Sequence, residues 1–312
     1  MEKLGHVLST RQFTRTWLDR LFVLARKISE ERRKPGGIMS GRIMATLFYE
    51  PSTRTRFSFE AAMISLGGQV LSSENAKEFS SAIKGETIED TARVVGGMCD
   101  VLIIRHPETG ATVRASSVSP VPVINAGDGD GEHPTQSLID LYTILQERGT
   151  LEGLTVTMFG DLRYGRTVHS LARLLRLYWA RMCFVSPQRL AFPRNLLAEL
   201  HGSRADVVET TKLSDVLTDT DVLYVTRVQK ERFSDLEEYA QVRGSYQIDA
   251  TTLAQAKSDL VVMHPLPRVD EIAPTVDALP NAAYFRQAHN GVPIRMALLH
   301  RLFVRDPDTH SS

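Results

Sequence analysis

Phe48-Tyr49-Glu50-Pro51-Ser52-Thr53-Arg54-Thr55-Arg56-Phe57-Ser58-Phe59-Glu60 is the stretch from which the fold is read. The apolar run Ile43–Phe48 leads into it and reads as a buried parallel strand. Phe59, Ala62, Met63 and Leu66 then recur at helical spacing until Gly67-Gly68 ends the pattern. Between strand and helix lie three hydroxyls and a guanidinium, from Ser52, Thr53, Arg54 and Thr55. Ser52 has the chemistry of an N-cap, and the first turn of a helix presents unpaired N–H groups. Those donors, with the positive end of the helix dipole, suit a doubly charged oxyanion such as phosphate. A single Ser-Thr pair would mean no more than a capped helix. Four consecutive anion-binding residues at a strand's end point to a site.

Outward from this stretch, short apolar runs alternate with amphipathic segments, which predicts α/β architecture. The expected strands are Ile43–Phe48, Gln69–Ser72, Val101–Ile104 and Pro122–Ile124, then Thr155–Phe159, Met182–Val185, Asp206–Val208, Val222–Val225 and Leu260–Met263. Helices are expected near Phe13–Arg32, Thr53–Leu66, Thr87–Gly96, Pro134–Arg148, Arg166–Trp179, Pro193–His201, Leu213–Leu217, Glu237–Tyr239, Thr251–Ala256 and Pro293–Phe303. Pro134 suits a first helical turn. Asp306–Ser312 is expected to fray. In open parallel sheets, reactive side chains gather beyond the carboxyl ends of the strands. Arg54, Arg105, His133 with Gln136, Arg166 with Thr167, Arg227 with Gln229, and Pro265 with Leu266 each follow an expected strand. Four arginines after strands suggest one shared anionic crevice.

The chain has 312 residues, enough for two domains of ordinary size. Lys plus Arg and Asp plus Glu both number 37, so no global field recruits nucleic acid or an acidic membrane. No apolar run approaches the roughly 20 residues of a membrane span. Cys99 and Cys183 form neither a C-x-x-C pair nor a disulfide framework, and fit two buried thiols in a reducing compartment. The arginine-rich N-terminus invites a transit-peptide reading. However, Phe13, Trp17, Leu18, Leu21, Phe22, Ala25 and Ile28 make an apolar stripe, so a packed first helix is the better reading. A cytoplasmic location is expected, with a processed organellar form or a domain cut from a longer chain as the open alternatives.

Two other motifs invite a chemical reading. Gly160-Asp161-Leu162-Arg163-Tyr164-Gly165-Arg166-Thr167 nearly matches the nucleotide loop G-x-x-x-x-G-K-[ST], but Arg166 replaces its lysine. A plain βα turn is the stronger bland alternative to nucleotide binding. Asp128-Gly129-Asp130-Gly131-Glu132 has alternating acids, but His133 stands where a calcium loop needs its sixth-position glycine. The glycines are read instead as a tight turn that presents His133. No grouping of His, Cys and acids makes a convincing metal site.

Ser52-Thr53-Arg54-Thr55, His133-Pro134-Thr135-Gln136 and His264-Pro265-Leu266-Pro267-Arg268 together resemble the carbamoyltransferase family, and within it the aspartate carbamoyltransferases. The resemblance covers about Phe13 to Phe303. The first two motifs are shared with ornithine carbamoyltransferases, and the third discriminates. There the ornithine enzymes carry a His-Cys-Leu-Pro run, whereas this chain has Pro265. The resemblance implies an open, mostly parallel sheet flanked by helices in each of two domains. The last helix returns to the first domain, giving 1–133 plus 289–312 for carbamoyl phosphate and 134–288 for aspartate. It implies no cofactor and no metal. It also implies a homotrimer with shared sites, and is compatible with a regulatory chain or companion pyrimidine enzymes.

By the same resemblance, Ser52, Thr53, Arg54 and Thr55 bind carbamoyl phosphate together with Arg105, His133 and Gln136. The backbone carbonyls of Pro265 and Leu266 complete the set, and the Leu266–Pro267 bond is expected to be cis. His133 donates to the carbamoyl oxygen, and Gln136 contacts the amide. Ser80 and Lys84 come from a neighbouring subunit, with Ser81 able to replace Ser80. Arg166, Thr167, Arg227, Gln229 and Lys84 hold aspartate. Arg54, Thr55, Lys84, Arg105 and His133 are the expected catalytic residues, and the two domains are expected to close on the substrates.

Overall fold

The computed structural model describes residues 5–31, 37–74, 85–201, 206–227 and 246–304. The expectations for Ser80, Ser81, Lys84, Gln229, the helix at 237–239 and the tail at 306–312 lie outside the described residues. Contacts group the chain into two units, Met1–Leu138 with Asn290–Ser312, and Ile139–His289.

The first unit is built on four parallel strands, β1 (Ile43–Phe48), β2 (Gln69–Glu74), β3 (Val101–His106) and β4 (Val123–Asp128). They lie in the order β2-β1-β3-β4. Its helices are α1 (Arg15–Glu31), α2 (Thr53–Ser65), α3 (Ile88–Gly96) and α4 (Ala111–Val118). The apolar stripe of α1 is used as its spacing suggests: Leu18, Leu21, Phe22 and Ala25 are buried. The last helix of the chain, here α10 (Gly291–Phe303), packs on α1 and α2. Its Ile294, Leu298, Leu299 and Leu302 are fully buried, and each such side chain contributes roughly 1.5–3 kcal/mol.

Helix α5 (Pro134–Arg148) runs between the units, and the seam falls after its Leu138. The second unit has five parallel strands, β5 (Thr155–Phe159), β6 (Arg181–Val185), β7 (Val207–Thr210), β8 (Val222–Val225) and β9 (Val261–Met263). Their order is β7-β6-β5-β8-β9. Helices α6 (Arg166–Leu175), α7 (Arg194–His201), α8 (Ala250–Leu253) and α9 (Tyr284–His289) complete it.

Several local expectations need correction. The helix expected over Leu213–Leu217 is two short 3-10 turns, Leu213–Asp215 and Leu217–Asp219, because a five-residue segment is too short to sustain an α-helix. The helix expected to reach Trp179 stops at Leu175, and a 3-10 turn delivers Trp179 in a left-handed conformation at φ 53°. Of the two thiols, Cys183 is buried but Cys99 only half-buried, and neither is in a disulfide. Among the described residues, no helix is long and apolar enough to cross a membrane.

Candidate active site

Each sheet has a switch point, where the connections leave two neighbouring strands in opposite directions. In the first unit it lies between β1 and β3, because β1 leads to β2 on one side and β3 to β4 on the other. Phe48 pairs in register with Arg105, and the Tyr49 N–H donates to the Arg105 carbonyl at 2.9 Å. The loop from Glu50 to Thr55 is therefore stitched beside Arg105. This juxtaposition comes from strand adjacency, since the two segments are far apart in the chain.

Ser52 occupies the N-cap position of α2, but its side chain makes no capping hydrogen bond, contrary to the local reading. The backbone reason is its φ of −161° with ψ of 81°, outside the usual cap geometry. Thr55 is buried and Arg54 exposed. Desolvation draws the Arg54 pKa down from the ordinary arginine value, but a guanidinium stays charged at neutral pH. Arg54 forms no hydrogen bond or ion pair among the described residues, whereas its neighbour Arg56 donates to Ser72 Oγ at 3.2 Å. Arg105 Nε lies 3.3 Å from a carboxylate oxygen of Glu50. Glu50 carries a role that the sequence reading missed. It holds Arg105 beside the loop that ends at Thr55, and a phosphoryl dianion bound there would compete with it for the guanidinium.

His133 precedes α5 and is buried, and its carbonyl accepts from Gln136 N–H at 3.0 Å. The acids of the glycine-rich loop before it are engaged within the protein. Asp128 accepts from Gly110 N–H at 2.9 Å, and from Asn125 Nδ2 and Glu132 N–H at 3.0 Å. Glu132 accepts from Ser9 Oγ at 2.6 Å and from Thr10 N–H and Oγ1 at 2.7 and 2.8 Å. Gly129 has φ 45°, and a Cβ there would come within 2.7 Å of the Pro107 carbonyl, so glycine is required for this turn. These contacts give the loop a structural purpose: it anchors the approach to His133. Among the described residues, no group of three His, Cys, Asp or Glu side chains could hold a metal.

In the second unit the switch point lies between β5 and β8. The loop after β5 carries Arg166 and Thr167 to the start of α6, and the one after β8 carries Arg227. Asp161 shapes the first loop by accepting from Arg163 and Tyr164 N–H groups at 3.2 and 3.0 Å. Thr226 ties the two together. Its N–H donates to the Phe159 carbonyl at 2.8 Å, and its hydroxyl lies 3.1 and 3.2 Å from the Phe159 and Asp161 carbonyls. Gly160 has φ 112°, and a Cβ there would meet the Thr226 carbonyl at 2.4 Å. Gly160→Ala is accordingly expected to cost roughly 2–4 kcal/mol of stability. Chemical denaturation checks this, and an unshifted midpoint would contradict the close approach.

After β9 comes the turn His264–Arg268, with the Leu266–Pro267 bond cis and Leu266 at φ 53°. His264 is buried, and the sequence reading gave it no role of its own; the structure gives it one. Its Nδ1 accepts from the Leu266 N–H at 2.8 Å, and its Nε2 lies 2.7 Å from Glu271 Oε1. Arg268 is held by both carboxylate oxygens of Asp277 and by the Tyr284 hydroxyl, so it braces the turn. Burial alone would push the Glu271 carboxyl up. The hydrogen bond from His264 and those from backbone N–H groups outweigh it and hold the pKa down to about 2. A folded-state pKa below the unfolded 4.5 stabilises the fold above pH 4.5, and that contribution disappears as pH falls toward 2. It is worth on the order of 3 kcal/mol. Glu271→Gln should therefore flatten the loss of stability across that acid window, and an unchanged acid-unfolding profile would argue against it.

The structure thus places Ser52 to Thr55, Arg105, His133 and Gln136 at strand ends of the first unit. It places Arg166, Thr167, Arg227, Pro265 and Leu266 at strand ends of the second. Residues 5–146 match the family model described as the aspartate/ornithine carbamoyltransferase carbamoyl-P binding domain, and residues 152–302 the Asp/Orn binding domain. The chain is 53% identical over 287 residues to the aspartate carbamoyltransferase catalytic subunit of Thermoplasma acidophilum, covering 91% of this chain and 93% of that one. It superposes on the catalytic subunit of M. jannaschii aspartate transcarbamoylase with a TM-score of 0.90 at 46% identity, covering 96% and 98% of the two chains. The Trypanosoma cruzi enzyme in complex with N-(phosphonacetyl)-L-aspartic acid gives 0.92 at 41% identity, covering 97% of each.

Proposed function

The chain belongs to the aspartate/ornithine carbamoyltransferase family, and on that premise we propose the reaction it catalyses and the residues that carry it. It transfers the carbamoyl group of carbamoyl phosphate to the amine of L-aspartate, giving N-carbamoyl-L-aspartate and phosphate, a step of pyrimidine synthesis. The observation that carries the choice of acceptor is the second unit's switch point. There Arg166 and Arg227 stand at adjoining strand ends, and Pro265 follows His264 in the neighbouring turn. Two guanidiniums fit the two carboxylates of aspartate; ornithine would bring a second cation toward them.

In this reading, Ser52, Thr53, Arg54 and Thr55 with the first turn of α2 take the phosphate group of carbamoyl phosphate. Arg105, Thr55 and His133 face the carbamoyl oxygen, Gln136 faces its amide, and the Pro265 and Leu266 carbonyls accept from the nitrogens. Arg166, Thr167, Arg227 and Gln229 hold aspartate. The deprotonated aspartate amine attacks the carbamoyl carbon, forming the new C–N bond and a tetrahedral intermediate. The C–O bond to phosphate then breaks, and the departing phosphate takes the surplus amine proton. Positioning two mutually repelling acids supplies much of the acceleration. Donors aimed at the developing oxyanion and at the leaving phosphate supply the rest.

The resemblance extends the reading to a homotrimer in which Ser80 and Lys84 reach a neighbour's site, with room for a regulatory chain. A cytoplasmic location accords with the two free thiols. Mixing Arg54→Ala chains with Lys84→Ala chains tests the shared site. Random assembly should make roughly a quarter of the sites wild type and return that share of activity. No recovery, with exchange of subunits verified by mass, would remove the neighbour's lysine from the site. The reaction itself is tested by offering carbamoyl phosphate with aspartate or with ornithine and measuring ureido product and phosphate. Ureido product from ornithine alone would overturn the assignment.

A further inference from the structure

A run of buried side chains in the second unit connects the start of α6 to the turn after β9. Thr167, at the start of α6, neighbours the Tyr224 side chain, and Tyr224 sits on β8 three residues before Arg227. The Tyr224 hydroxyl donates to Asp140 Oδ2 at 2.8 Å, and Gln287 Nε2 donates to Asp140 Oδ1 at 2.7 Å. Gln287 Oε1 accepts the His264 N–H at 2.9 Å. His264 in turn accepts the Leu266 N–H and meets Glu271, whose other oxygen accepts from Val269 and Asp270 N–H at 3.1 Å. Tyr224 and Asp140 are fully buried, and Gln287, His264 and Glu271 nearly so. None of Asp140, Tyr224, Glu271 or Gln287 touches a substrate in the reading above.

We propose that Asp140 and Glu271 are positioning residues, which use this buried network to set the Pro265–Leu266 turn against the aspartate-binding ends of α6 and β8. The inference rests on the functional reading above. The direction of each hydrogen bond leaves little freedom. Since Nδ1 of His264 accepts a backbone N–H, its proton resides on Nε2 and points at Glu271. Glu271 is then needed as an acceptor on both oxygens. An amide at that position presents a donor either to His264 or to the backbone N–H groups. Turning the imidazole to its other tautomer sets Nδ1–H against the Leu266 N–H and pushes the turn out of place. Asp140 likewise accepts on both oxygens from neutral donors, and so orients Tyr224 and Gln287 at once. A buried network of this kind is rigid only while every member is satisfied.

Two single variants, their double variant and one spectrum test this. Glu271→Gln and Tyr224→Phe should each lower kcat/KM for aspartate about tenfold or more, with binding of inorganic phosphate, the first unit's ligand, unchanged. Their double variant should lose much less than the product of the two losses, because both break one network. Additive losses, or single variants with wild-type kinetics, would overturn the proposal. Asp140→Asn, an isosteric change, serves in place of Glu271→Gln if that variant fails to fold. Nitrogen-15 spectra of the wild-type protein should show His264 as the Nε2–H tautomer; the Nδ1–H tautomer would overturn the inference. The spectrum does not depend on turnover, so it separates failure of this proposal from failure of the carbamoyl-transfer reading.

Discussion

Arg54→Ala is expected to reduce kcat for carbamoyl transfer about 10²–10³-fold, the usual cost of one preorganised donor to transition-state charge. The loss should appear with both substrates saturating, because the guanidinium acts on charge that grows as the carbamoyl–phosphate bond breaks. The structure makes this variant a clean one. Arg54 is exposed and bonds to nothing among the described residues, so its removal should leave stability within about 0.5 kcal/mol. Steady-state kinetics beside a denaturation curve therefore separate chemistry from folding. Near-normal turnover would take Arg54 out of the reaction.

Arg227→Ala should act on the other substrate. Loss of a charge-assisted hydrogen bond to a carboxylate typically costs about 1.5–3 kcal/mol, so KM for aspartate should rise roughly 10–10²-fold. The effect on KM for carbamoyl phosphate should be slight, since the donor's cations belong to the first unit. Saturation curves for each substrate decide it. An unchanged aspartate curve would show that the guanidinium beyond β8 has some other partner, and Arg166 would then have to hold aspartate without it.

Long or strongly apolar elements are legible from the chain alone. Ile43–Phe48, Thr155–Phe159, Val222–Val225 and Pro134–Arg148 have the same bounds in structure as in sequence. Each is a short run dominated by apolar and β-branched residues, or a helix opened by proline. The element at Ala111–Val118 was missed because its serines, threonine and arginine give no apolar stripe, although Ala111, Thr112 and Ala115 are buried. Strand β4 continues past Ile124 through Asn125, Ala126, Gly127 and Asp128, residues with little strand character. Their burial beside β3, and the Gly127 N–H donating to the Asn125 side chain at 2.8 Å, explain why they stay extended.

The order of residues along the chain was enough to single out candidate anion-binding residues, because hydroxyls, arginines and histidine directly after apolar strands are local features. It was enough as well to name the α/β class, since hydrophobic periodicity is local. Strand order was not legible, and with it the placing of Arg105 next to the Glu50–Thr55 loop. Neither were the partners of buried polar groups: Glu50 for Arg105, Glu271 for His264, Asp140 for Tyr224 and Gln287. Those choices are made when strands align and helices dock, because a polar group excluded from water must bond to whatever the packing brings within about 3 Å of it.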